Sequence, residues 1–144
     1  MAAVHIRKKV GFAAVALWLG SLPLPAVTHC GDGAMPGWQL AILGPIGPLA
    51  GLQFGWYANL FMFWGIARAL FQQRIGFVSA GLGLILASSV FFWRTTPTDA
   101  GESTVCSLNI GFYLWFTCAM ILAISAGTEY IWKSRKKGVK LEQA

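Results

Sequence analysis

Between Asp32 and Arg68 the chain carries no charged side chain. A stretch of that length has little to offer water, so a soluble fold would have to enclose nearly all of it. The rest of the chain is poor cover. Of its 144 residues 56% are hydrophobic and 11% charged, whereas an ordinary soluble domain is about 25% charged. A domain of this size still leaves roughly 30% of its unfolded surface in water, and the polar side chains are too few to supply that surface. The same composition excludes a disordered chain. The sequence reads as a membrane protein.

A helix crossing about 30 Å of hydrocarbon needs about 20 apolar residues. Four runs meet that length, at about 10–27, 48–68, 75–93 and 105–127. They are continuous rather than alternating, which predicts helices and not barrel strands. The long uncharged stretch is broken by Gly44-Pro45-Ile46-Gly47-Pro48, because proline lacks the amide donor and clashes with the preceding turn. Trp38–Leu43 therefore reads as a short interfacial or re-entrant segment before the second span. The expected fold is all-α: a four-transmembrane-helix bundle, one membrane domain over residues 1–144, with a basic tail over 128–144.

Ten of the eleven basic residues gather on one side of that arrangement: Arg7, Lys8, Lys9, then Arg68 and Arg74, then Lys133, Arg135, Lys136, Lys137 and Lys140. The remaining loops hold Arg94 against Asp32, Asp99 and Glu102. Basic residues flanking spans stay in the cytoplasm, so both termini are expected there, and loops 28–47 and 94–104 outside. This asymmetry accounts for the net charge of +6 without nucleic acid, which would need a basic domain beyond the tails. The tail suits anionic lipid headgroups. A cleaved signal peptide is the competing reading of the first run; a lipoprotein site at Cys30 would need a small residue before it, where His29 stands.

Cys30 and Cys106 both fall on the outward side, in a compartment that permits disulfides. They read either as one bond tying the two outward loops or as two unpaired thiols at helix ends. Cys118, inside the fourth span, reads as a small packing residue. A thiol-disulfide catalyst resembling the quinone-linked oxidase of the periplasm needs a Cys-x-x-Cys pair, which is missing, so that function is a remote alternative. His5 and His29 both lie outside the spans, which disfavours intramembrane haem or chlorophyll ligation. His29, Cys30 and Asp32 together read as a polar loop, and no metal or cofactor is expected.

No ionisable residue lies well inside a span, which argues against proton-coupled transport or pumping. No catalytic constellation is recognisable either, so the chain is not expected to be an enzyme; Ser88, Ser89 and Ser125 read as packing serines. Small residues recur every four positions: Gly47, Gly51 and Gly55; Ser79, Gly83 and Ala87; Ala119, Ala123 and Gly127. Such stripes let helix backbones approach closely. Gln53, Trp56, Tyr57, Asn59, Asn109, Tyr113 and Trp115 cluster toward the outward half. They read either as an aromatic belt with amide glue or as a shallow pocket for a lipid, a quinone or a partner segment. Gly55-Trp56-Tyr57 faintly echoes Gly111-Phe112-Tyr113, which would fit two duplicated hairpins.

The stretch Gly37-Trp38-Gln39-Leu40, with Gly44, Gly47, Gly51 and Gly55-Trp56-Tyr57-Ala58-Asn59, resembles a pattern in small four-span bacterial membrane proteins with no assigned activity. Gly111-Phe112-Tyr113-Leu114-Trp115 is similar to their last-span motif. The resemblance implies a bacterial inner membrane and no particular chemistry. The expected function is a non-catalytic accessory or scaffold subunit of a larger inner-membrane complex, with lipids and other integral subunits, or copies of itself, as partners. The alternative is a small oligomeric channel or transporter lined by Gln53, Asn59 and Asn109.

Overall fold

The computed structural model describes residues 2–31, 33–48, 53–98 and 101–141. Within them the chain forms five α-helices and four strands: α1 (Ala2–Ser21), β1 (Pro25–His29), β2 (Gly33–Pro36), α2 (Gly37–Leu43), α3 (Ala58–Leu70), α4 (Phe77–Ser89), β3 (Thr95–Thr98), β4 (Gly101–Leu108) and α5 (Ile110–Leu141). Short 3₁₀ turns at Gly44–Ile46, Gly55–Tyr57 and Val90–Phe92 join some of them.

The expected all-α bundle of four membrane-spanning helices is overturned. The two segments expected as outer loops pair into an antiparallel sheet of order β2-β1-β4-β3. One described helix, Ile110–Arg135 within α5, is long and apolar enough to cross a membrane, and Phe77–Phe92 is apolar but shorter. This single helix is the coarse support for membrane association.

The span boundaries move for identifiable reasons. The basic cluster Arg7, Lys8 and Lys9 lies inside α1 rather than before it. That helix stops at Ser21 because Pro23 and Pro25 cannot continue it. Residues 25–27, expected in the first span, are strand β1 instead. Residues 105–108, expected to start the fourth span, belong to β4, rich in β-branched and small polar residues. The segment 128–141, expected as a tail, continues α5. The β1–β2 turn needs glycine: Gly31 and Gly33 have φ of +100° and +85°, a region L side chains avoid.

The helices close into a ring in which α1 packs on α3 and α5, and α4 packs on the same two. Its interior is built from small side chains, Ala14, Ala58, Ala69, Ala80, Ala87, Ala119 and Ala126, with Met62, Ile66, Cys118 and Leu122 among them. The large apolar side chains point outward: Trp64, Val78, Ile85 and Phe92 are 57%, 72%, 66% and 81% exposed. A water-soluble core is arranged the other way round, whereas helices in lipid bring small residues to their contacts.

Two stripe glycines sit at close contacts. A Cβ on Gly83 would lie 2.9 Å from the Cβ of Phe61, and one on Gly55 would strike Val90. Ala87 and Ala119 are buried, and Ala123 is half-buried against the same core. Gly47 instead lies in a turn against the carbonyl of Gln53, Gly127 reaches only Phe77, and Ser79 bonds locally to the carbonyl of Gly76. Gly51 lies outside the described residues. The echo between 55–57 and 111–113 does not extend to structure, since the first is a 3₁₀ turn and the second begins α5.

Candidate functional site

The sheet is bolted to one end of the helical ring. The amide of Gly37 donates to the carbonyl of Leu24 at 3.0 Å, and that of Asn109 donates to Ala26 at 2.8 Å. Asn109 also donates from Nδ2 to Thr28 Oγ1 at 2.7 Å. Gln53 Nε2 donates to the Thr95 carbonyl, and buried His29 pairs through Nε2 with Thr96 Oγ1. A disulfide joins Cys30 to Cys106 with their Cα atoms 5.3 Å apart, within the reach such a bond allows. Of the two readings of this pair, a bond or two unpaired thiols, the bond is the one present, and it ties the β1–β2 turn to β4.

Under the sheet lies a small cavity that four of the seven tryptophans help to line: Trp18 from α1, Trp56 from the 3₁₀ turn, Trp93 after α4, and Trp115 from α5. Asn59 is its polar centre. Its Oδ1 accepts from Trp18 Nε1 at 3.0 Å and from Trp115 Nε1 at 2.8 Å, and its Nδ2 donates to the Trp56 carbonyl at 2.9 Å. Trp56 Nε1 donates in turn to the Ala41 carbonyl at 2.9 Å. The cavity measures about 60 Å³. Drug-sized ligand pockets begin near 300 Å³, so a quinone does not fit this space.

Of the residues expected to form an outward site, Trp56, Asn59 and Trp115 line this cavity. Gln53 and Asn109 instead stitch the sheet to the helices. Tyr57 reaches the Pro45 carbonyl at 3.4 Å, and Tyr113 is 48% exposed beside Phe112. Trp18 is not among the residues that the sequence pattern singles out. The signal that points to it is its place one turn before the proline-marked end of α1, which sets it at the level of Trp115.

A second feature that the sequence pattern does not announce lies at the opposite end of the ring. Arg7 Nε meets Glu129 Oε1 at 2.6 Å, and Arg7 Nη1 donates to the Gln72 carbonyl at 3.0 Å. Gln72 has a φ of 60° in the turn between α3 and α4. The α3 end bends back there, the Gln73 amide donating to the Arg68 carbonyl at 2.7 Å. Comparison with family models, curated proteins and solved structures finds no match to the chain.

Proposed function

We propose that the chain is a non-catalytic accessory or scaffold subunit of a larger bacterial inner-membrane complex. One observation carries this reading: the interior amides of Asn59, Gln53 and Asn109 each bond to distant parts of the same chain. Asn59 ties α1, α5 and the 3₁₀ turn together, while Gln53 and Asn109 hold the sheet on the helices. Side chains bonded in this way define a rigid body; among these three amides Gln53 Oε1 alone is buried without a partner among the described residues, and one such oxygen does not make a conducting path. That weighs for the scaffold over the oligomeric channel.

The placement we propose is multi-pass in the inner membrane, with both termini cytoplasmic and the sheet outside. Three features support it. Large apolar side chains face out along α1, α3, α4 and α5, which suits lipid and integral partners. The Arg7 bonds to Gln72 and Glu129 bring the start of α1, the α3–α4 turn and the later part of α5 to one end, where basic residues concentrate. The disulfide belongs to the other end, and disulfides persist in an oxidising compartment such as the periplasm. The resemblance to small bacterial membrane proteins points the same way.

Purification of the full chain from membranes in mild detergent tests the role. Co-purification of different integral subunits in fixed ratio is the expected result. A pure homo-oligomer that conducts ions or solutes in liposomes would replace this reading with the channel.

A further inference from the structure

At the end of the ring away from the sheet, a cavity of about 340 Å³ opens between α1, the α3–α4 turn and the later part of α5. Its volume is in the range of small-molecule sites, unlike the space beneath the tryptophans. Arg7, Arg74, Glu129 and Lys133 line it, with Ile6 and Trp132. The Arg7–Glu129 pair uses only one carboxylate oxygen. Glu129 Oε2 is buried and has no hydrogen-bond partner among the described residues. A buried carboxylate oxygen left without a donor is costly, and the partner it calls for is an N–H donor, best a cationic one.

The cavity also carries positive charge, from Arg74 in the α3–α4 turn and from Lys133 one turn beyond Glu129 on α5. Arg74 and Lys133 are exposed and form no ion pair among the described residues. One ligand answers both demands if it carries a primary ammonium and a phosphate a few bonds apart. The depth of the site favours a lipid as the carrier. Glu129 stands nineteen residues beyond Ile110 along α5, about 29 Å at 1.5 Å per residue, which matches the roughly 30 Å of hydrocarbon. Ile6 and Trp132, 60% and 59% exposed, complete the lining with apolar surface, and tryptophan favours the headgroup level.

We propose that this cavity binds the headgroup of a phosphatidylethanolamine-type lipid, with the ammonium donating to Glu129 Oε2 and the phosphate held by Arg74 and Lys133. The proposal rests on the membrane placement argued above and not on the partner complex.

Native mass spectrometry of the delipidated full chain in detergent tests it, using lipids of matched acyl chains. Phosphatidylethanolamine should bind roughly tenfold more tightly than phosphatidylcholine, whose methylated nitrogen has no N–H to donate. It should also exceed phosphatidylglycerol, which has the phosphate and no amine. Glu129→Gln should abolish the ethanolamine preference. Arg74→Gln with Lys133→Gln, at exposed positions, should weaken all three lipids and keep the preference. Equal binding of the ethanolamine and choline lipids by the unaltered chain would overturn the proposal, and so would tighter binding of phosphatidylglycerol. The comparison of headgroups needs no variant, so it decides the matter even if Glu129→Gln fails to fold. Soluble phosphoethanolamine binding as tightly as the lipid would overturn the lipid assignment. Failure of the membrane placement itself would show differently, as chain released from membranes by alkaline carbonate.

Discussion

Asn59 and Trp115 lie 56 residues apart and share a hydrogen bond of 2.8 Å from the indole Nε1 to the amide Oδ1. The same oxygen accepts from Trp18, so one carbonyl satisfies two indole donors from two different helices. Asn59→Leu would strip both donors of their acceptor in an apolar surround. The loss should be roughly 1–3 kcal/mol, since each bond within such a surround contributes about a kcal/mol. Thermal unfolding in detergent, followed by tryptophan emission, measures it; a variant as stable as the parent would remove Asn59 as the keystone of the cavity.

The disulfide makes a covalent prediction. After alkylation under denaturing, non-reducing conditions the chain should take up one equivalent of reagent, at Cys118, and three after reduction. The loop closed by a sequence separation of 76 would contribute roughly 4–5 kcal/mol by chain entropy in water. That figure is an upper bound, because the sheet and the packed helices already restrict the reduced chain. Uptake of three equivalents before reduction would mean that the two outer segments are held by hydrogen bonds alone.

Gly83 and Gly81 form a matched pair on α4. A Cβ at 83 would lie 2.9 Å from Phe61 Cβ, whereas one at 81 meets nothing within 4 Å. Gly83→Leu should therefore separate α3 from α4 and cost about 1–3 kcal/mol or more through overpacking. Gly81→Leu should be nearly neutral. Equal melting temperatures for the two variants would show that α3 and α4 are not in contact there.

Orientation can be read by labelling single cysteines with a membrane-impermeant maleimide, with Cys118 buried and the other two cysteines bonded. Arg94→Cys, at an exposed position beside the sheet, should react in intact spheroplasts. Lys137→Cys should react only after the membrane is opened. The reverse pattern would invert the proposed orientation and place the Arg7–Glu129 end outside.

Much of the helical part is legible in the amino-acid sequence, and for a local reason. Apolar continuity, prolines at 23, 25, 45 and 48, and clusters of basic residues are properties of neighbouring positions, and helices obey neighbours. The cysteine pair is legible as an option because both residues fall on one side of the charge pattern. The sheet is not. Its strands are short and weakly patterned, such as Thr95–Thr98 with a proline inside, and β1 finds β4 about 80 residues away, where Thr28 pairs with Ser107.

The sequence by itself determined that the chain is rich in apolar and poor in charged residues, and where helices break. Only the tertiary structure decided which polar groups meet. Nothing local to Asn59 names its partners; helix packing brings Trp18 and Trp115 to its side-chain oxygen. Arg7 and Glu129 are separated by 122 positions, and neither carries a local signal of the other. Their pairing depends on α1 and α5 lying side by side. Hydrogen bonds and ion pairs act over about 3 Å, so they are set by packing, whereas hydrophobic pattern and helix breaking are already written in consecutive residues.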